Sequence, residues 1–213
     1  MFGRILKSMQ WMADPDGDPS TSDQPHIVSN SWGAALKTYF TVKSWWKLVE
    51  TWRALGILPV FAAGNSGSEP DTMLSPGGFP HSFAVGATDN QDEIAYFSSR
   101  GPIEWLGKKF IKPDVTAPGV KVYSAKSGGG YWYLSGTSMA CPHVAGVAAL
   151  LKQAEPSLSV EDLEHLISLT SNDLGEDGKD NIFGEGRVNI KSALDFLKSD
   201  GANRKLGFSS LHQ

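Results

Sequence analysis

Residues 136–146 read Gly-Thr-Ser-Met-Ala-Cys-Pro-His-Val-Ala-Gly, a run that offers a hydroxyl at the mouth of a helix. Gly136 lets the backbone turn tightly ahead of Ser138, and the small residues that follow let the helix pack close to its neighbours. The first turn of a helix carries N–H groups with no intrahelical acceptor, and these favour negative charge. Ser138 held there is suited to nucleophilic attack, because the anion that forms on the attacked carbonyl meets donors. A serine hydroxyl is nevertheless a poor nucleophile near neutral pH. It needs an imidazole to take its proton and a carboxylate to orient that imidazole. His143 does not fill this role, since it follows Ser138 by more than one helical turn. Cys141 lies on the apolar part of the helix and reads as a small buried hydrophobe.

The elements that would position Ser138 follow from periodicity. Residues 4–12 form a short helix with Ile5, Leu6, Met9 and Met12 on one face, and a polar loop rich in Asp and Pro runs on to Pro25. Residues 26–30 are a strand leading into Ser31-Trp32-Gly33. A helix over about 41–55 places Trp45, Leu48, Val49, Trp52 and Leu55 at helical spacing, with Gly56 at its C-terminal turn. Residues 57–63 and 82–87 are short apolar runs suited to strands buried on both faces. Residues 94–125 look irregular, with short strands and turns. The helix after Ser138 runs to about Ala154 and stops before Pro156. Ser159 and Asp162 cap a further helix ending near Thr170, and Asn189 caps the last one. Strands alternating with helices argue for an α/β layer fold with a parallel sheet, whose sites lie at the C-terminal ends of the strands. One domain is expected over residues 1–200, with a polar tail at 201–213.

Composition narrows the function classes. With 213 residues, 40% of them hydrophobic and 20% charged, the chain suits one globular domain with a sizeable core. A net charge of −4 gives no electrostatic support for a nucleic-acid partner. No apolar run reaches membrane-spanning length, and residues 1–7 lack the apolar core of a signal peptide. A single cysteine excludes an intrachain disulfide, and the scattered histidines do not have zinc spacing.

Four segments taken in order carry a resemblance: Ser31-Trp32-Gly33, Ala62-Ala63-Gly64-Asn65, Ala117-Pro118-Gly119 and Gly136-Thr137-Ser138-Met139-Ala140. Together they resemble the subtilisin-like serine proteases over nearly the whole chain. The resemblance implies a three-layer α/β fold with a mainly parallel sheet, here without its N-terminal strands. It implies Ser138 as nucleophile and Asn65 as side-chain donor of the oxyanion hole, partnered by the Ser138 N–H. Thr137 and Ser31-Trp32-Gly33 fall at the substrate groove, where an extended polypeptide pairs with the chain as an added strand. Ala62, Ala63 and Gly64 match one wall of the pocket for the residue before the scissile bond, and their small side chains leave room for a large apolar group. Pro76 and Gly77 match the opposite wall, with Pro76 in a cis bond. Gly77, Phe79 and Asp114 fall near a family cation site, so calcium is a structural ion the resemblance allows, and no cofactor is required. The parent protease is expected to be secreted.

In relatives, the triad acid and base lie upstream of the Ser-Trp-Gly strand, in an Asp-Ser/Thr-Gly turn and a His-Gly-Thr-His helix start. Neither occurs in this sequence, and Asp16-Gly17 and His26 lack the matching context. The expectation is an endopeptidase domain present in part, inactive by itself, whose partner is the N-terminal segment that carries both groups. It also leaves an uncovered strand edge near residues 26–30. The competing expectation is a non-catalytic peptide-binding module. The acid-acting serine-carboxyl peptidases rank lower because Asn65 stands where they use an acid. An α/β-hydrolase is disfavoured because Gly-x-Ser-x-Gly is absent.

Overall fold

The computed structural model describes residues 2–35 and 39–200. The tail expected at 201–213 lies outside the described residues. In chain order the elements are α1 (Phe2–Ala13), β1 (Ile27–Asn30), α2 (Tyr39–Ala54), β2 (Leu58–Ala62), β3 (Phe83–Thr88), β4 (Ile103–Trp105), β5 (Lys108–Phe110), β6 (Val115–Pro118), β7 (Val122–Ala125), β8 (Tyr131–Leu134), α3 (Thr137–Ala154), α4 (Val160–Leu169) and α5 (Ile190–Asp200).

A parallel sheet in the order β1-β2-β3-β6 forms the middle layer. Every residue of β2 and β3 is buried, as expected for parallel strands covered on both faces. Alternation along β2 divides the core. Leu58, Val60 and Ala62 join Val85, Ala140, Val144, Leu151 and Leu166 beneath α3, α4 and α5. Phe61 turns the other way and joins Met9, Trp45, Val49 and Trp52 beneath α1 and α2. The result is the three-layer α/β arrangement.

The capping signals are realised. Ser159 and Asp162 form a reciprocal capping box on α4, and Asn189 Oδ1 accepts from the Ser192 N–H at the start of α5, 3.1 Å. Two strands depart from expectation. β6 is a full member of the sheet although its segment reads as irregular, because its burial comes from coverage on both sides rather than from an alternating pattern. The sequence reading also overlooks β8, which pairs with β7 in an antiparallel hairpin beside the start of α3. Among the described residues, β1 keeps one edge of the sheet unpaired.

Candidate active site

Ser138 is the second residue of α3, at the C-terminal end of the sheet. The loop before it is pinned from below. The Gly119 N–H donates to the Thr88 carbonyl, 2.8 Å, and the Gly119 carbonyl accepts the Gly136 N–H, 2.8 Å. The Ala117-Pro118-Gly119 turn thereby ties the serine loop to the ends of β3 and β6.

Pro142 then sets the serine's surroundings. A residue at that position would normally donate its N–H to the Ser138 carbonyl four residues back, and proline has none to give. The freed carbonyl accepts the Ser31 hydroxyl at 2.8 Å. In return the Ser138 hydroxyl donates to the Ser31 carbonyl at 3.3 Å. Ser31, just past β1, and Ser138, at the head of α3, are thus tied in both directions across the groove. Trp32 donates its indole N–H to Asn30 Oδ1, 3.1 Å, and meets Trp45 and Phe61 edge-on. It is both a core anchor and a groove residue.

Asn65 follows β2 and Gly64. Its Oδ1 accepts both the Thr137 N–H and the Thr137 hydroxyl, each at 2.9 Å, and Thr137 Oγ1 accepts the Gly64 N–H, 3.2 Å. An N–H donor can meet only the amide oxygen, so this pairing fixes which way the Asn65 amide faces. Its Nδ2 is left free to donate into the groove. The Ser138 N–H belongs to the first helical turn and has no intrahelical acceptor. The point that a Cβ on residue 136 would occupy lies 3.3 Å from Asn65 Nδ2 and 3.7 Å from the Ser138 nitrogen. Glycine at 136 leaves space beside these two nitrogens, with Asn65 Oδ1 3.8 Å from the same point.

Ser31, Trp32, Gly33, Ala62, Gly64, Asn65, Thr137 and Ser138 therefore converge on one cleft of about 290 Å³. Ala63, expected in the same wall, is fully buried and does not line it. The facing wall is Leu74 rather than Pro76 and Gly77. Both of these are buried, and a Cβ on Gly77 would strike the Ala62 carbonyl oxygen at 2.7 Å. The Ser75–Pro76 bond is cis.

No imidazole or carboxylate among the described residues is hydrogen-bonded to the Ser138 hydroxyl. His143 Nδ1 meets the Met139 carbonyl, 2.8 Å, within the same helix. His81 pairs with Glu50 instead, 2.8 Å. Cys141 is buried, and burial pushes its thiol pKa up, in keeping with a packing role.

Asp114 is already engaged. Its Oδ2 accepts the Ala84 N–H, 2.7 Å, and the Lys112 ammonium, and Oδ1 faces Lys179 Nζ at 3.3 Å. Lys112 is itself buried and donates also to the Ser82 carbonyl. A divalent cation beside Asp114 would sit against two ammonium groups, so Gly77, Phe79 and Asp114 do not fit a calcium site.

A second, larger groove of about 660 Å³ opens on the other side of Ser138. Tyr123, Trp132 and Leu134 of the hairpin line it opposite Met139, Pro142 and His143. The sequence signal for it was available: the β-prone run Tyr131-Trp132-Tyr133-Leu134 directly follows the turn at Gly128-Gly129-Gly130.

Residues 3–186 match the family model described as the subtilase family, Peptidase_S8. Among curated proteins, Bacillopeptidase F of Bacillus subtilis (strain 168) is 38% identical over 95% of this chain and 14% of its own length. Serine protease AprX of the same organism is 39% identical over 68% of this chain and 36% of its own. Among solved structures, sphericase superposes with a TM-score of 0.76 at 28% identity, covering 89% of this chain and 64% of that one. The chain thus spans well under half the length of these two curated relatives.

Proposed function

Because this chain belongs to the subtilase family, we propose that it carries the nucleophile, oxyanion hole and substrate groove of a serine-type endopeptidase. The Ser138 oxygen attacks a peptide carbonyl carbon and its proton passes to an imidazole. The carbonyl oxygen takes up the negative charge between Asn65 Nδ2 and the Ser138 N–H. Collapse of this intermediate breaks the C–N bond, the imidazole returns the proton to the leaving amine, and water then hydrolyses the acyl-enzyme. The observation that carries this reading is the Asn65 amide nitrogen, free to donate, and the unpaired Ser138 N–H lying side by side at the head of α3, next to the Ser138 hydroxyl.

The imidazole and its carboxylate come from polypeptide outside the described residues. The groove between the hairpin and α3 supports this, since its lining is more apolar than polar, it reaches Ser138, and nothing among the described residues fills it. The free edge of β1 offers a second seat for the same segment. The 213-residue chain by itself is then inactive or nearly so. By the same resemblance we infer that the parent protease acts outside the cell.

A serine-directed fluorophosphonate probe tests the proposal. Negligible labelling of the chain alone is expected, with strong labelling once an upstream segment bearing Asp and His is supplied, and none in Ser138→Ala. Efficient labelling of the chain alone that Ser138→Ala abolishes would place a base within these residues and refute the incomplete triad. A Ser138 hydroxyl that donates to the Ser31 carbonyl rather than to a base also suits a second reading, a peptide-binding module without turnover. Peptide binding with no labelling under any complementation would favour it.

A further inference from the structure

The corner of the fold where β3 and β6 begin holds a buried positive charge. Lys112 is 2% exposed, and lysine is almost never buried unless paired. Its ammonium donates to the Ser82 carbonyl and to Asp114 Oδ2. The first of these oxygens ends a run of turns that starts at Leu74 in the cleft wall. Along that run the Gly78 N–H donates to the Leu74 carbonyl, the Phe79 N–H to the Pro76 carbonyl and the Ser82 N–H to the Phe79 carbonyl, 2.8, 2.9 and 3.2 Å. The second oxygen belongs to the residue before β6. One ammonium therefore joins the far end of the cleft-wall segment to the sheet. The backbone of Lys112 is anchored in turn, since its carbonyl accepts the Gly101 N–H, 2.9 Å.

We propose that the Lys112 ammonium is the resident cation of this corner, in the place that the family resemblance gives to a structural calcium ion, so that the chain holds its cleft wall without a bound metal. A carbonyl and a carboxylate brought together out of water repel, and a cation shared between them turns that repulsion into attraction. Calcium does this with six to eight oxygens at about 2.3–2.6 Å. Here the oxygens are engaged already. The Asp114 N–H donates to the Ala84 carbonyl, 2.9 Å, and the Asp114 carbonyl accepts the Glu185 N–H, 2.8 Å. Its Oδ2 accepts the Ala84 N–H, 2.7 Å, besides the ammonium, and Oδ1 faces Lys179 Nζ, 3.3 Å. The Phe79 carbonyl, another group near which the resemblance places the ion, is taken by the Ser82 N–H. A tethered ammonium differs from a metal in one measurable respect. A bound ion stabilises the fold by an amount that grows with its free concentration, whereas a charge attached to the chain is always present.

Neither a base nor a peptide is needed to test this. The Ala84 N–H donates to the same carboxylate oxygen as the ammonium, so its amide NMR signal reports on ions at this corner. The 213-residue chain is titrated with calcium, potassium or ammonium chloride, while choline chloride holds the ionic strength constant. In the unaltered chain the Ala84 signal is expected to stay in place with all three. A saturable shift with calcium would put a metal beside Asp114 and overturn the proposal. Lys112→Ala empties the volume of the ammonium and leaves the buried carboxylate short of a partner, so its urea midpoint is expected to fall in choline chloride. Potassium or ammonium is expected to restore part of that midpoint and to shift the Ala84 signal saturably. A variant whose Ala84 signal ignores all three ions, or one that stays unfolded in all three, would show that no free cation can stand in for the ammonium, which also overturns the proposal. Lys112→Met fills the same volume without the charge and is expected to lose stability in every salt. A midpoint equal to that of the unaltered chain would show that Lys112 contributes packing and not charge.

Discussion

Ser138 stands between two regions built in opposite ways. On one side, the groups that position the two free donors are themselves held: Asn65 Oδ1 twice by Thr137, Thr137 by Gly64, the Ser138 carbonyl by Ser31, and Leu74 by Ala63. On the other side, Tyr123, Tyr131, Trp132, Tyr133 and Leu134 are between 53% and 63% exposed. Apart from the packing of Tyr123 on Tyr131 and Tyr133 and the approach of Lys126 to the Trp132 ring, these side chains face open space. Alternation along β8 turns Trp132 and Leu134 toward the groove and Tyr131 and Tyr133 to the opposite face. The contrast separates two tasks in catalysis. Stabilising the anion needs preorganised donors, and the first region has them fixed. Moving the proton needs a base, and under the proposed function the segment that carries it would pack against the second region.

The comparison is broken most directly at the oxyanion cradle. Asn65→Ala, measured as the rate of fluorophosphonate labelling in the complemented protein, is expected to slow acylation by about 10²- to 10³-fold, a magnitude taken from the same change in a subtilisin. Peptide binding to the unaltered cleft is expected to stay within a few-fold, because the amide acts on charge that develops during attack. A loss in binding as large as the loss in rate would mean that Asn65 holds the groove in shape and is no oxyanion donor.

A single oxygen atom sharpens the comparison next. Ser31→Ala removes the donor that satisfies the Ser138 carbonyl freed by Pro142. The bond is exposed, so water can take the donor's place, and its loss is expected to cost about 0.5–1.5 kcal/mol. Urea unfolding of the variant is expected to show that loss with an unchanged slope. A Pro142→Ala change in the Ser31→Ala background restores a helical N–H donor to the same carbonyl, so it is expected to recover part of the stability. No recovery would show that the tie between Ser31 and Ser138 is incidental.

The first region was far more legible in the sequence than the second, for a physical reason. Ser138 was legible as a hydroxyl at a helix start from the few residues around it, whereas Thr137, Asn65, Gly64 and Ser31-Trp32-Gly33 were placed at the site by the family resemblance, because their contacts span 72 to 107 residues of sequence. The strands β1, β2 and β3 were legible as short apolar runs. β6 was not, because Val115–Pro118 is flanked by Pro113 and buried Asp114, and its burial is conferred by its neighbours. Lys112 was missed for a similar reason. Lysine is almost never buried unless paired, and the pair becomes apparent only when residues 112 and 114 are seen to share one face of an extended segment. The isobutyl group of Leu74 reaches Gly33 and Gly64 from 41 and 10 residues away in sequence, a contact that no local pattern announces.

The smallest expected effect is the most discriminating. Trp132→Ser removes an entire indole from the open region, a far larger change in atoms than Ser31→Ala. In a finished core such a truncation costs about 3–5 kcal/mol. Here the ring is 57% exposed, and its charge contact is with Lys126 on the same hairpin at 5.3 Å, so the 213-residue chain should lose less than about 0.5 kcal/mol in urea unfolding. The indole lines the groove that leads to Ser138, and if the base-bearing segment packs there, the variant should need a higher concentration of that segment to restore labelling. Equal stability with weaker complementation would assign Trp132 to an interface absent from the chain alone. A stability loss comparable to Ser31→Ala would show the hairpin to be packed already, and the division of the molecule into a closed and an open side of Ser138 would fail.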